Sequence, residues 1–139
     1  MAASEGWDMP TGDLMKGKKG LIMGVANSSS IAWGIAKALA DQGAELAFSY
    51  QGEALKKRVE PLAAQLGSDL IAECDVADEA SIDGLFAAIA ERWDSIDFIV
   101  HAIGFSDKEQ LRGRYADTTR DNFLLTMDIS VYSFTAIAR

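Results

Sequence analysis

The residues best placed to act on a ligand are a glycine, a serine-rich turn and a second glycine: Gly24-Val25-Ala26-Asn27-Ser28-Ser29-Ser30-Ile31-Ala32-Trp33-Gly34, directly after the apolar run Leu21-Ile22-Met23. Read as strand, turn and helix, this stretch makes an anion site. Leu21, Ile22 and Met23 suit a strand buried on both faces. Gly24 ends it, because a residue without Cβ can take φ > 0 and admit a ligand close to the backbone. Asn27 to Ser30 are short polar side chains suited to a turn, with Ser30 the expected helix cap. From Ile31 the apolar residues Ile31, Ile35, Ala38 and Leu39 recur at helical spacing, and Gly43 closes the run. Free amides and the positive end of the helix dipole then face Gly24, where phosphate is the natural guest. The spacing is not the G-x-G-x-x-G fingerprint, and taken alone the stretch equally fits a strand-to-helix connection with no ligand.

The elements that must position this turn follow in regular order. Glu45–Tyr50 reads as a second strand and Glu53–Leu66 as a helix with Leu55, Val59, Leu62 and Leu66 on one face, closed by Gly67. Asp69–Cys74 is a third strand, and a helix from Ser81 to about Trp93 turns Ile82, Leu85, Phe86 and Ile89 inward. Ile96–Ala102 is a fourth strand, the most apolar, ended by Gly104. Strand and helix alternate with short links, which implies parallel strands in right-handed crossovers, with helices on both faces of the sheet. In such a sheet ligands bind beyond the carboxyl ends of the strands.

Each strand end has a task if the guest is a dinucleotide. Gln51 lies where an adenosine ribose would sit, and its neutrality leans toward NAD, since no arginine stands there for a 2′-phosphate. Lys56, Lys57 and Arg58 follow as a basic run whose plainer reading is a solvated helix face. Asp75 is placed to accept from an adenine amino group while the Val76 backbone contacts the ring; the alternative is that Asp75 only opens the next turn. Ile103 and Gly104 would lie against the cofactor's centre. From Phe105 to Thr119 the chain turns polar and aperiodic, a loop long enough to be functional. Its Lys108, Arg112 and Arg114 suit either an anionic substrate carrier or plain solvation. Thr119 and Asp121 are cap candidates for a helix running from Asn122 to Arg139.

Composition bounds the function. The 139 residues are 49% hydrophobic and 24% charged, with a net charge of -8, as in an ordinary globular domain and against nucleic acid or anionic membrane as a partner. No apolar leader or membrane span is visible, so a cytoplasmic protein is expected, with residues 1–13 a loose tail and residues 14–139 one nucleotide-binding unit. The single cysteine, Cys74, excludes an internal disulfide and a multi-cysteine metal site, and its apolar setting suits a core residue.

Four motifs in order, Gly24-Val25-Ala26 with Ser30-Ile31-Ala32-Trp33-Gly34, Ala44 to Gln51, Cys74-Asp75-Val76, and His101-Ala102-Ile103-Gly104-Phe105, resemble the bacterial NADH-dependent enoyl-acyl-carrier-protein reductases, a divergent branch of the short-chain dehydrogenase/reductases. The resemblance spans nearly all of Leu14 to Arg139. It implies an α/β fold, a three-layer Rossmann-type doubly wound parallel sheet carried as far as the fourth strand and the helices after it. It further implies NADH as cofactor, an enoyl thioester on acyl carrier protein as substrate, fatty-acid synthesis as the setting and a homotetrameric assembly. By resemblance Gly24, Ser30 and Ile31 hold the pyrophosphate, Gln51 the adenosine ribose, Asp75 and Val76 the adenine, Ile103 and Gly104 the nicotinamide side, and Ser106 meets the acyl substrate.

The family's chemistry also needs a tyrosine and, six residues between, a lysine, expected beyond a fifth strand. Tyr50 and Lys57 have that spacing by coincidence, on the second strand and its helix, and Tyr115 and Tyr132 have no lysine at that offset. Catalytic residues are therefore not expected in this stretch, which is read as inactive alone. Ser130 is expected as a supporting residue at most, and His101 as packing. Two readings compete with this one: another short-chain dehydrogenase, disfavoured by the missing T-G-x-x-x-G-I-G pattern, and a non-catalytic nucleotide-binding module. A receiver-like module is disfavoured because Gly20 to Gly24 holds no carboxylate.

Overall fold

The computed structural model describes residues 10–139. Four parallel strands, β1 (Lys19–Met23), β2 (Glu45–Tyr50), β3 (Ile71–Glu73) and β4 (Phe98–His101), lie in the order β3-β2-β1-β4. Helices α1 (Ile31–Asp41) and α2 (Glu53–Gln65) cover one face, and α3 (Glu79–Ala90) and α5 (Ser133–Ala138) the other. The chain steps outward from β1 to β2 and β3, then crosses back through α3 to β4 on the far side of β1. That reversal is the switch point of a doubly wound sheet, and it opens a crevice between the carboxyl ends of β1 and β4.

Two cores hold the layers together. Leu21, Met23 and Ala47 pack with Ile82, Leu85, Ile89 and Ile137 on one face, while Ile22, Leu46 and Phe48 pack with Ala32, Trp33, Ala36, Val59 and Ala63 on the other. Alternation along β1 sends successive side chains to opposite faces, so Leu21, Ile22 and Met23 are all fully buried, as a central parallel strand requires. The inward face of α1 differs from the one expected. Ile31 is 80% exposed and Ile35 is also exposed, because Trp33 with Ala32 and Ala36 forms the buried stripe. Two stripes at helical spacing were available in this helix. The one with the largest ring beside the small alanines packs close to the sheet.

Strand ends differ modestly from the sequence reading. β3 has three residues, Ile71–Glu73, and β4 runs Phe98–His101, since both are edge strands with pairing on one side only. Helix α3 begins at Glu79, capped by Asp78, whose side chain accepts from the Ala80 amide. The final helical stretch is α4 (Arg120–Met127), capped by Thr119, then a π-turn over Asp128–Tyr132 leading into α5. Of the expected tail, residues 1–9 lie outside the described residues. The Pro10 carbonyl accepts from Gln42 Nε2 at 2.6 Å and the Gly12 amide donates to the Asp41 carbonyl at 2.9 Å, so this stretch lies along the end of α1. Among the described residues no helix is long and apolar enough to cross a membrane.

Candidate functional site

A cleft of about 340 Å³ lies at the strand carboxyl ends, within the range of about 300–1,000 Å³ typical of small-molecule sites. It gathers six of the sequence-predicted residues from all four strand ends: Gly24, Gln51, Asp75, Val76, Ile103 and Gly104. A larger concavity, about 750 Å³, flanks the open edge of β4 between α3 and α5. Ile82, Phe86, Ile99 and Ile137 stand in its walls with Asp83, Asp97 and the Glu79–Arg139 ion pair around them, whereas the smaller cleft is the one that gathers the strand carboxyl ends.

Gly24 is where the β1 and β4 ends meet. Its φ is +107°, and a Cβ there would collide with the carbonyl of Ala102. The Ala102 amide donates to the Met23 carbonyl at 3.0 Å, which draws the two strand ends together. Glycine is therefore required by the neighbouring strand as well as by any ligand. Gly104 is different, since a Cβ would meet only Ser130 Oγ at 3.7 Å, an ordinary contact.

Ser30 occupies the N-cap of α1 but does not cap it through its side chain. Its Oγ instead accepts from the Ala26 amide at 3.0 Å and the Asn27 amide at 3.1 Å, while Asn27 Oδ1 accepts from the Ser29 amide at 2.8 Å. The hydroxyl shapes the turn, and the amides of Ile31 and Ala32 donate to nothing among the described residues. Two free N-H groups at a helix start form an anion-binding pair. Ser30 and Ile31 thus lie beside the cleft and do not line it, and the exposed Ile31 side chain leaves its backbone as the group at the site.

At the β3 end, Asp75 is a turn residue and also lines the cleft. Its Oδ1 accepts from the Ala77 amide at 3.0 Å as a turn residue, its own amide donates to Ser81 Oγ at 2.8 Å, and it still lines the cleft. Cys74 forms the floor beside it. Burial first, and then the nearby Asp75 and Asp78 charges, push its thiol up to about 11, so it stays protonated and unreactive.

Beyond β4 the chain is held from a distance. Ser130, in the π-turn, accepts from the Phe105 amide at 2.9 Å and donates to the Phe105 carbonyl at 3.1 Å. Asn122 Oδ1 accepts from the Asp107 amide at 2.9 Å, and Asn122 Nδ2 and Thr126 Oγ1 donate to Ser106 Oγ at 3.2 and 3.0 Å. Ser106, expected against substrate, is therefore turned toward α4 and does not line the cleft. Single π-turns inside helices often mark functional sites, and this one also brings Ile129 to the cleft wall.

His101 packs as expected. Ser133 donates its only hydroxyl proton to the Ile129 carbonyl at 2.6 Å, so His101 Nε2, at 2.8 Å, is assigned as donor to Ser133 Oγ, with the imidazole edge-on to Phe134. The basic loop is largely neutralised. Arg114 pairs with Asp117 at 2.8 Å and Arg112 with Glu109 at 3.7 Å. Among the described residues, no three His, Cys, Asp or Glu side chains gather to hold a metal ion.

Sequence reasoning missed the contacts of Glu73 and Asn122, while Ser130 is the supporting residue expected, with a partner the sequence did not indicate. All three act through contacts across 15 to 25 positions of chain, which no local spacing signals.

Comparison with known proteins matches residues 24–139 to the family described as enoyl-(acyl carrier protein) reductase. The enoyl-[acyl-carrier-protein] reductase [NADH] 1 of Rhizobium meliloti is 67% identical over 125 residues, which cover 90% of this chain and 46% of that protein. A crystal structure of the Anaplasma phagocytophilum reductase in complex with NAD superimposes with a TM-score of 0.89 at 59% identity, covering 94% of this chain and 50% of that one. The Bacillus cereus reductase, solved with NADP+ and indole naphthyridinone, gives a TM-score of 0.88 at 42% identity, covering 91% and 50%. The chain spans about half the length of the curated relatives it matches.

Proposed function

The chain belongs to the enoyl-(acyl carrier protein) reductase family, and from that premise we propose that it is the NADH-holding portion of an enoyl-acyl-carrier-protein reductase. The complete enzyme would reduce trans-2-enoyl thioesters on acyl carrier protein in bacterial fatty-acid synthesis, as a cytoplasmic homotetramer. The observation that carries this reading is the cleft at the β1–β4 switch point, where four strand ends meet with two free helix amides beside them.

NADH supplies hydride when bound; the rest is the work of this chain's residues. The Ile31 and Ala32 amides hold the diphosphate, with Gly24 allowing its approach and Ser30 keeping the turn open toward it. Gln51 hydrogen-bonds the adenosine ribose. Asp75 accepts from the adenine amino group with the carboxylate oxygen not engaged by Ala77, and Val76 meets the ring. Ile103 and Gly104 lie along the nicotinamide half, and Phe105, fixed by Ser130, limits water there. Ser106 stiffens the wall along which the acyl chain lies. Tyr50 lies on β2 and Lys57 on α2, so this pair is not read as set for proton delivery to an enolate.

The purified 139-residue chain should therefore quench and blue-shift NADH fluorescence saturably, yet leave crotonyl thioester unreduced. Absence of saturable binding would leave a bare scaffold and sink the proposal. Turnover of crotonyl thioester would show that catalytic groups had been overlooked.

A further inference from the structure

Dinucleotide sites of this architecture commonly read the adenosine ribose with a carboxylate at the end of the second strand, which accepts from the 2′-hydroxyl and repels a 2′-phosphate. Here that place is taken by the neutral Gln51. A carboxylate bonded to the turn after it comes from one strand further out. Glu73, the last residue of β3, is the register partner of Tyr50, and its Oε1 accepts from the Gly52 amide at 3.1 Å, at the residue directly after Gln51. The bond ties the carboxylate to the β2–α2 turn and leaves Oε2 free beside it. Glu73 does not itself line the cleft and reaches its edge through the Gly52 bond; the basic residues that follow, Lys56, Lys57 and Arg58, do not line it either.

We propose that Glu73 selects NADH over NADPH, acting from β3 as the acidic ribose reader that β2 lacks. This rests on the dinucleotide reading of the cleft and adds to it a residue and a direction of preference. The family likeness does not fix the preference by itself, since a relative of the same fold was solved with NADP+. The mechanism is repulsion. A 2′-phosphate beside the Gly52 turn would bring further negative charge against a carboxylate that a backbone amide holds in place.

The test is titration of the chain and of E73Q with NADH and NADPH in parallel. Glutamine keeps an acceptor for the Gly52 amide, so the turn is preserved while the charge is lost. We expect the ratio of NADPH to NADH dissociation constants to fall by about three- to tenfold in E73Q, the size of one exposed charge–charge contact. A second measurement needs no variant: in the unaltered chain the preference for NADH should narrow as salt rises from about 10 to about 500 mM, because screening weakens the repulsion. Saturable NADH binding with an unchanged ratio in E73Q, or a preference that widens with salt, overturns the role of Glu73 and leaves the cleft assignment standing. Binding of neither dinucleotide overturns both.

Discussion

The exits of β1 and β4 face each other across the cleft, and they are built in opposite ways. The β1 exit supports itself: Ser30 and Asn27 take up the amides of Ala26, Asn27 and Ser29 within the turn they belong to. The β4 exit has local support only further along, where Asp107 accepts from the Glu109 and Gln110 amides. Its Phe105, Ser106 and Asp107 are held by Ser130, Thr126 and Asn122, which arrive on a later helical stretch. The first can form as soon as β1 and α1 do, whereas the second must wait for α4 and its π-turn to dock. On the proposed reading, anion binding would rest on the locally specified wall, and the nicotinamide side on the wall whose order is borrowed.

The largest way to break this arrangement is at the point the two exits share. G24A places a methyl group against the Ala102 carbonyl at a φ of +107°, and should cost about 3 kcal/mol or more in urea unfolding, with loss of NADH binding. S130A releases Phe105 at both its amide and its carbonyl, and should cost about 1–2 kcal/mol and weaken NADH several-fold, with cysteine or threonine less damaging than alanine. S30A strips an acceptor from two amides that water reaches, and should cost about 1 kcal/mol. If S30A proved worse than S130A, the contrast between the self-supported and the borrowed wall would be reversed.

The smallest effect lies at the opposite end of the same strand pair. Asp97, just before β4, accepts from the Lys19 amide at 2.8 Å and lies 3.6 Å from Lys18 Nζ. That amide bond first, and the Lys18 charge after it, hold its carboxyl below the ordinary 3.8. A carboxyl lowered in the folded state contributes stability above pH 3.8, and the contribution is lost as pH falls through the lowered value. D97N should therefore lower stability slightly near neutrality, where the contribution is present, and leave it unchanged at low pH, so that the acid limb of a pH–stability profile flattens.

The same contrast explains what could be read before the fold was in hand. The alternation of apolar runs gave four parallel strands and the switch point, because Leu21-Ile22-Met23 can be buried on both faces only at the centre of such a sheet. The cleft residues Gly24, Gln51, Asp75, Val76, Ile103 and Gly104 were legible because each lies within three residues of a strand end. The buried stripe of α1 was not, since Ile31-Ile35 and Ala32-Trp33-Ala36 fit the helical period equally and only packing separates them. The direction of the Ser30 and Ser106 hydroxyls was hidden too. A serine serves a turn, a cap or a ligand with the same atoms, and its partner is chosen by whichever backbone amide or side chain folding brings within reach.

The most direct test of the central claim is amide-resolved: add NADH to the 15N-labelled chain and map which backbone signals move. The account predicts saturable shifts greatest at Ile31 and Ala32, with smaller ones at Gly24, Val76 and Gly104. Saturable binding that leaves those amides still and perturbs the β4 flank around Phe86 and Ile99 instead would contradict it.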